Sequence, residues 1–169
     1  MAMLVTIWRH GEAGAARSDR DRALTTRGAN DIKHGCHQFQ AACEAKNFGR
    51  PQAILHSPYT RTVETANILA SNFKGASIKP LRVLEPGNDV AGVEAALDEQ
   101  LLQGKAADHI ILVSHQPLVS YLLNYLLGEA GRVPSLSPGA LATVELDTTG
   151  QGCACLAFWA MAPKYEVGH

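Results

Sequence analysis

The chain has no surplus of either charge sign: 15 Lys and Arg stand against 16 Asp and Glu, a formal net charge of −1, and the pI is near 6.6. Nucleic acids and anionic membrane surfaces select basic patches, so this balance argues against both as partners, and any anion site must be built locally. Cysteine is sparse. Cys36, Cys43, Cys153 and Cys155 show neither C-x-x-C spacing nor the density of a small disulfide scaffold, which excludes a stapled secreted fold and reads as free thiols in a reducing cytoplasm. Long apolar runs are missing too. The first, Met3 to Trp8, falls far short of the ~20 residues that cross a bilayer and enters Arg9-His10 directly, so it reads as a strand rather than a signal peptide or membrane span. No internal repeat, low-complexity tract or linker divides the sequence. With 46% hydrophobic residues among 169, the expectation is one domain, 1–169, with a sizeable core.

What is present is an alternation of strand and helix signals. After the first strand, Gly11 to Ala23 has no hydrophobic period and reads as a surface loop carrying Arg17, Asp19, Arg20, Asp21 and Arg22. Thr25 or Thr26 is placed to cap a helix to about Lys46, with Ala29, Ile32, Cys36, Phe39 and Cys43 as its buried stripe. Gln52 to His56 reads as a second strand, and Ser57-Pro58 as the start of a helix to about Phe73. Ser77 to Val83, interrupted by Pro80, suggests an edge strand, and a helix follows from about Val90 to Gln103. His109 to Val113 is continuously apolar after its histidine, as expected for a strand covered on both faces. The helix from Pro117 to about Leu127 is apolar almost all round, which implies deep burial, and Gly128 stops it. Ala140 to Leu146 and Cys153 to Ala160 flank a turn-rich segment and read as a hairpin. The expected fold is therefore α/β: a three-layer α/β/α domain with a mostly parallel central sheet of about six strands and a C-terminal hairpin.

The chemistry lies where the strands end. Their carboxyl ends supply Arg9 and His10, then His56, Ser57 and Arg61, and then Ser114 and His115. If those strands are parallel, all of these residues meet in one crevice. Two helices begin there, and their free N–H groups favour an anion. Two arginines grip a phosphoryl group through paired, charge-assisted hydrogen bonds, and two histidines beside them point to phosphoryl transfer. Singly, a histidine at a strand end is ordinarily a satisfied polar residue, and that reading is kept for His34, His37, His109 and His169. His34 and His37 lie three apart on a helix, but nothing nearby completes a metal-ligand set. A zinc site on His10 and His115 leaves both arginines unexplained and sets cations beside a metal. No metal or cofactor is therefore called for.

Arg9-His10-Gly11 after the first strand, Leu24-Thr25 with Gly28, Ser57-Pro58 with Arg61 and Thr65-Ala66, and Ser114-His115 resemble the histidine phosphatase, or phosphoglycerate-mutase-like, superfamily. The ordered set runs from residue 4 to about 127. The short length, the turn at Glu85 to Asp89 and the Ser114-His115-Gln116-Pro117 junction look most like its SixA-type phosphohistidine phosphatases. The resemblance implies a hydrolase in which His10 is phosphorylated on a ring nitrogen, with Arg9, Arg61, His115 and Gln116 binding the phosphate. It implies no metal.

Phosphomonoesterases of this superfamily typically protonate an alcohol leaving group with a carboxylate. Glu85 is the best-placed candidate, Asp89 second with a helix-cap role as its alternative, and Glu12 third with loop orientation as its alternative. A phosphohistidine substrate depends less on such an acid, because imidazole is a better leaving group. SixA-like turns usually lack the acid, so Glu85 is a departure. The chain is too short for the large cap of longer relatives, and an open crevice suits a phosphohistidine on another protein's surface. The competing substrate is a small phosphomonoester held partly by the loop from Arg17 to Arg22. The non-enzymatic alternative is a phosphate-binding module, which has no need of a nucleophile.

Overall fold

A computed structural model describes residues 2–103 and 107–169. Seven strands, β1 (Met3–Arg9), β2 (Ala53–His56), β3 (Ser77–Pro80), β4 (His109–Ser114), β5 (Leu141–Leu146), β6 (Ala154–Ala160) and β7 (Val167–Gly168), form one sheet in the order β3-β2-β4-β1-β5-β6-β7. From β3 to β1 the pairs are parallel, and from β1 to β7 antiparallel. The register places Arg9 opposite Ser114 and His56 opposite Val113. The ends of β1, β2 and β4 thus lie level on one edge, and the chain leaves each of them carrying a polar pair.

Alternation along the strands distributes the core. Val5 and Ile7 of β1 and Ile110 and Leu112 of β4 pack towards α3 (Val90–Leu102) and α4 (Leu118–Leu127). Trp8, Ile111 and Val113 pack towards α1 (Thr26–Ala45) and α2 (Thr60–Asn72). β4 reads as unbroken hydrophobicity because both its faces are covered. The α1 stripe anticipated from spacing is buried at Ile32, Cys36, Phe39 and Cys43, and Phe39 meets Trp8 edge-on at 5.4 Å between ring centroids.

Several boundaries differ from expectation for physical reasons. α2 starts at Thr60 rather than Pro58, because the Ser57 hydroxyl accepts the Tyr59 N–H at 3.3 Å in a tight turn before the helix. β3 is the exposed edge anticipated, but it ends at Pro80 and residues 82–84 form a 3-10 turn. α4 is not buried all round: Leu118, Val119, Leu122, Leu123 and Leu126 face inward while Tyr121 is 60% exposed. β7 has only two residues, too few to show a period, which is why six strands were expected and seven are found.

Two glycines are required by close approach. The backbone of Gly11 is not among those with positive φ. A Cβ there would lie 3.0 Å from the Gly28 carbonyl oxygen, and a Cβ on Gly28 would fall 2.2 Å from the Glu12 carbonyl oxygen. The backbone after His10 therefore lies directly on the first turn of α1, with Thr25 capping that turn by accepting the Gly28 N–H at 2.9 Å. Gly28→Ala is expected to push these two backbones apart, costing about 2 kcal/mol or more as overpacking and displacing the segment after His10. A urea midpoint and kcat measured together check this, and a variant unchanged in both would refute the close-contact explanation.

Candidate active site

His10 is the first residue past β1, and its backbone is held on both sides. Its N–H donates to Ser114 O at 3.1 Å, and its carbonyl accepts from Gly139 N at 2.8 Å. The residue is 7% exposed. Nδ1 lies 2.7 Å from the Gly11 carbonyl oxygen, which can only accept, so Nδ1 carries the proton. Nε2 is left with a lone pair, and the Arg61 Nε–H points at it from 3.2 Å. This is the tautomer a nucleophilic imidazole needs.

Arg61 sits in the first turn of α2 with only 5% of its surface exposed. Thr65, one turn on, accepts the Gly11 N–H at 3.2 Å and donates to the Arg61 carbonyl at 2.8 Å. A single hydroxyl thus ties α2 to the turn after His10. His115 follows β4, its ring centroid 5.1 Å from that of His10. Its Nε2 lies 2.8 Å from Ser57 Oγ. Ser57 Oγ also accepts the Tyr59 N–H, and when its own hydrogen is donated to His115 Nε2 the proton of His115 lies on Nδ1. Nδ1 is buried without a hydrogen-bond partner among the described residues, and so is Nε of Arg9, whose Nη1 donates to Leu136 O at 2.9 Å. Leaving such nitrogens unpaired costs about 1–3 kcal/mol each, and N–H donors of this kind are what an oxyanion accepts from.

Burial and the neighbouring cations set the protonation states. Desolvation, with Arg61, Arg9 and Arg22 adding to it, pushes His10 down to about 4 against the pull of its bond to Gly11. Desolvation and the neighbouring His10 and Arg61 push His115 down to about 3. Both rings are neutral at pH 7. The unfolded chain takes up these protons near 6.5, so below that pH the unfolded state binds more protons and stability falls as pH drops towards 4. Each group contributes a loss of about 1.4 kcal/mol per pH unit in that window. Denaturant unfolding at pH 7 and pH 4.5 is expected to show a smaller acid loss in His10→Asn than in the wild type; equal losses would mean that His10 titrates normally in the fold.

Tyr59 completes the wall. Its ring lies 5.3 Å from the Arg61 guanidinium, 5.1 Å from that of Arg20 and 5.2 Å, edge-on, from the His115 ring. Sequence reasoning passed over Tyr59 although it stands between Pro58 and Arg61, in a junction already singled out. Asp19 was passed over as well: its carbonyl and carboxylate accept from Nη1 and Nη2 of Arg61 at 2.6 and 3.1 Å. Nothing in a loop without hydrophobic period marks that residue.

The remaining named residues are distributed as follows. Two strands separate β3 from β1, but the chain beyond β3 folds back over β4, where Leu84 O accepts the Ser114 hydroxyl at 2.7 Å. Glu85 comes next, at the rim, with its carboxylate 3.9 Å from Arg20 Nη1. Asp89 caps α3 by accepting the Gly92 N–H at 3.2 Å. Glu12 accepts the Thr25 hydroxyl at 2.9 Å, which orients the loop. The side chain of Gln116 is turned from the pocket: its Nε2 donates to Ser120 and Ser135 at 2.7 and 2.6 Å, and its Oε1 accepts the Ser120 N–H at 3.3 Å. His56 donates from Nδ1 to Ser57 O at 2.9 Å. His109 is a satisfied core histidine, bonded at Nε2 to Thr6 and at Nδ1 to Gly49 O, both at 2.8 Å. Among the described residues no group of three or more His, Cys, Asp or Glu side chains is placed to hold a metal, and no helix is long and apolar enough to cross a membrane.

The arrangement combines a neutral imidazole, a buried guanidinium whose Nε–H meets its lone pair, and two buried nitrogens without partners, on Arg9 and His115. No family model matches the chain. The phosphohistidine phosphatase SixA of Escherichia coli K12 is 32% identical over 164 residues, covering 95% of this chain and 94% of that protein. A solved structure of SixA complexed with tungstate superposes with a TM-score of 0.76 at 29% identity, over 93% of this chain and 96% of that one. Phosphoglycerate mutase from Plasmodium falciparum shares the fold, with a TM-score of 0.62 at 19% identity over 92% and 88% of the two chains. A relative this similar over nearly its whole length, with the same fold, establishes that the chain belongs to the SixA family of phosphohistidine phosphatases within the histidine phosphatase superfamily.

Proposed function

We propose that this protein hydrolyses phosphohistidine on a partner protein through a phosphorylated His10. The observation that carries the reading is the His10 tautomer: Nδ1 is protonated against Gly11 O, and the Nε2 lone pair is held against Arg61. The Nε2 lone pair attacks phosphorus, and the P–N bond to the substrate ring breaks. That ring departs as neutral imidazole when its other nitrogen carries a proton. Arg61, Arg9 and His115 stabilise the charge spread over the equatorial oxygens. Water then attacks phospho-His10, the new P–N bond breaks, and inorganic phosphate leaves with the neutral imidazole restored. The relative solved with tungstate, a tetrahedral oxyanion, supports such a pocket.

In this reading no carboxylic acid is required, and Glu85 acts at the rim through Arg20. An alcohol leaving group needs a proton, and supplying it from Glu85 requires that carboxylate to leave Arg20 and reach the scissile oxygen. Steady-state rates on a phosphohistidine protein and on a panel of sugar and nucleotide phosphates test the choice. A kcat/KM at least about 100-fold higher on the phosphohistidine protein is expected. A preference for any phosphomonoester of the panel overturns the substrate class and moves Glu85 into the role of acid.

A further inference from the structure

Arg61 does three things at once, and only one of them concerns His10. Its Nε–H faces His10 Nε2, while its fork end is held by Asp19: Nη1 donates to the backbone oxygen at 2.6 Å and Nη2 to Oδ2 at 3.1 Å. Asp19 is itself held, since Arg22 Nη1 donates to its other oxygen, Oδ1, at 3.3 Å. Arg22 is fixed in turn by its bonds to the carbonyls of Gly14 at 2.8 Å and Ala13 at 3.3 Å. The backbone just after His10 therefore reaches the guanidinium opposite His10 through one chain of charged hydrogen bonds.

A guanidinium is planar and its N–H directions are fixed, so occupying the fork end sets where the side edge points. That edge, Nε–H with the remaining hydrogen of Nη2, faces His10, where the oxygens of a transferred phosphoryl group must sit. Asp19 holds the end away from the nucleophile and has no need to leave when the phosphoryl group arrives. The exposure of the pair is lopsided: the Arg61 side chain is 6% exposed and that of Asp19 57%. An ion pair with one partner largely in solvent contributes little to stability. Its consequence lies in orientation.

We infer that Asp19, carried on the loop between Gly11 and Ala23, is a positioning residue for phosphoryl transfer, fixing the Arg61 guanidinium so that its side edge meets the equatorial oxygens at His10. This rests on the proposed chemistry at His10. It also gives the charged loop a task other than holding a small substrate: Asp19 and Arg22 complete the pocket from behind.

The test uses the full chain and the variants Asp19→Ala, Asp19→Asn and Arg22→Gln. Four quantities are measured: kcat and KM with phosphoramidate as a small P–N phosphoryl donor, the dissociation constant of inorganic phosphate by calorimetry, and the melting temperature. Asp19→Ala is expected to lower kcat about 10- to 100-fold with a smaller change in KM, because a misaligned clamp loses most in the transition state. It weakens phosphate binding several-fold and moves the melting temperature by less than about 2 °C. Asp19→Asn keeps an acceptor oxygen and falls between Ala and wild type, while Arg22→Gln loses less, in the same direction. Wild-type kcat and phosphate affinity in Asp19→Ala would overturn the inference. So would equal losses in the Ala and Asn variants accompanied by a fall of more than about 5 °C in melting temperature, since that marks a structural role. If the wild type turns over neither phosphoramidate nor a phosphohistidine protein, the chemistry proposed for His10 fails, and the phosphate affinities still decide the role of Asp19.

Discussion

Replacing His10 with alanine is expected to abolish turnover, by about 10⁴-fold or more, while the protein stays folded. Loss of a nucleophile removes the covalent route altogether, and what survives is binding without chemistry. Folding should not suffer, because the neutral ring stands beside the cations of Arg9 and Arg61 and titrates only at about 4. Removing a group held against its preferred protonation state relieves the fold at acid pH even as it ends catalysis, the trade-off expected where a site is built for chemistry. The direct measurement is acid-labile phosphate: wild type mixed briefly with substrate and quenched in alkali should carry it on His10, and the variant should carry none. Unchanged activity in His10→Ala, with no such adduct in wild type, defeats the covalent mechanism.

How far the sequence anticipated this site depends on what kind of signal each part leaves. Arg9, His10, Arg61 and His115 were legible because each stands at a strand-to-helix junction, and parallel strands bring such junctions to one edge whatever their separation along the chain. The register confirms that logic, with Arg9 level with Ser114 and His56 with Val113. Thr65 was visible only through family resemblance, and its bonds to Gly11 N–H and to the Arg61 carbonyl explain why a hydroxyl is useful there. Asp19 and Tyr59 were not legible. Their roles arise from a loop folding onto the start of α2, and no periodicity encodes where a loop without a buried stripe will lie. Gln116 shows the converse failure: it adjoins His115 in sequence, yet its side chain serves Ser120 and Ser135. Adjacency along the chain says little about direction once the backbone turns. The α4 boundaries were legible from its apolar residues and Gly128, but its burial was not. A uniformly apolar helix can still present one face outward, as Tyr121 does.

Arg61 is the position where substitution should cost most after His10. Arg61→Ala is expected to reduce kcat/KM about 10³-fold or more, the scale on which a single arginine clamps a transferring phosphoryl group. Arg61→Lys should recover little of it. A lysine can place one charge in the crevice, but it cannot hold Asp19 with two N–H groups and keep a third against His10 Nε2, as the guanidinium does. The alanine variant also has a signature in pH that a merely misfolded site would lack. Arg61 is one of the cations holding His10 down, so its removal should let the His10 value rise from about 4 towards that of free imidazole. The nucleophile must be neutral, and kcat/KM reports the free enzyme, so the acid limb of its pH profile should move to higher pH in Arg61→Ala. In Arg61→Lys a cation remains, and the limb should stay near its wild-type position while the rate is still low. Finding the limb unmoved in both variants would separate Arg61 from His10 electrostatically and leave the clamp as its only role. A limb that rises in alanine alone assigns it both, a clamp for the phosphoryl oxygens and a cation that keeps His10 unprotonated.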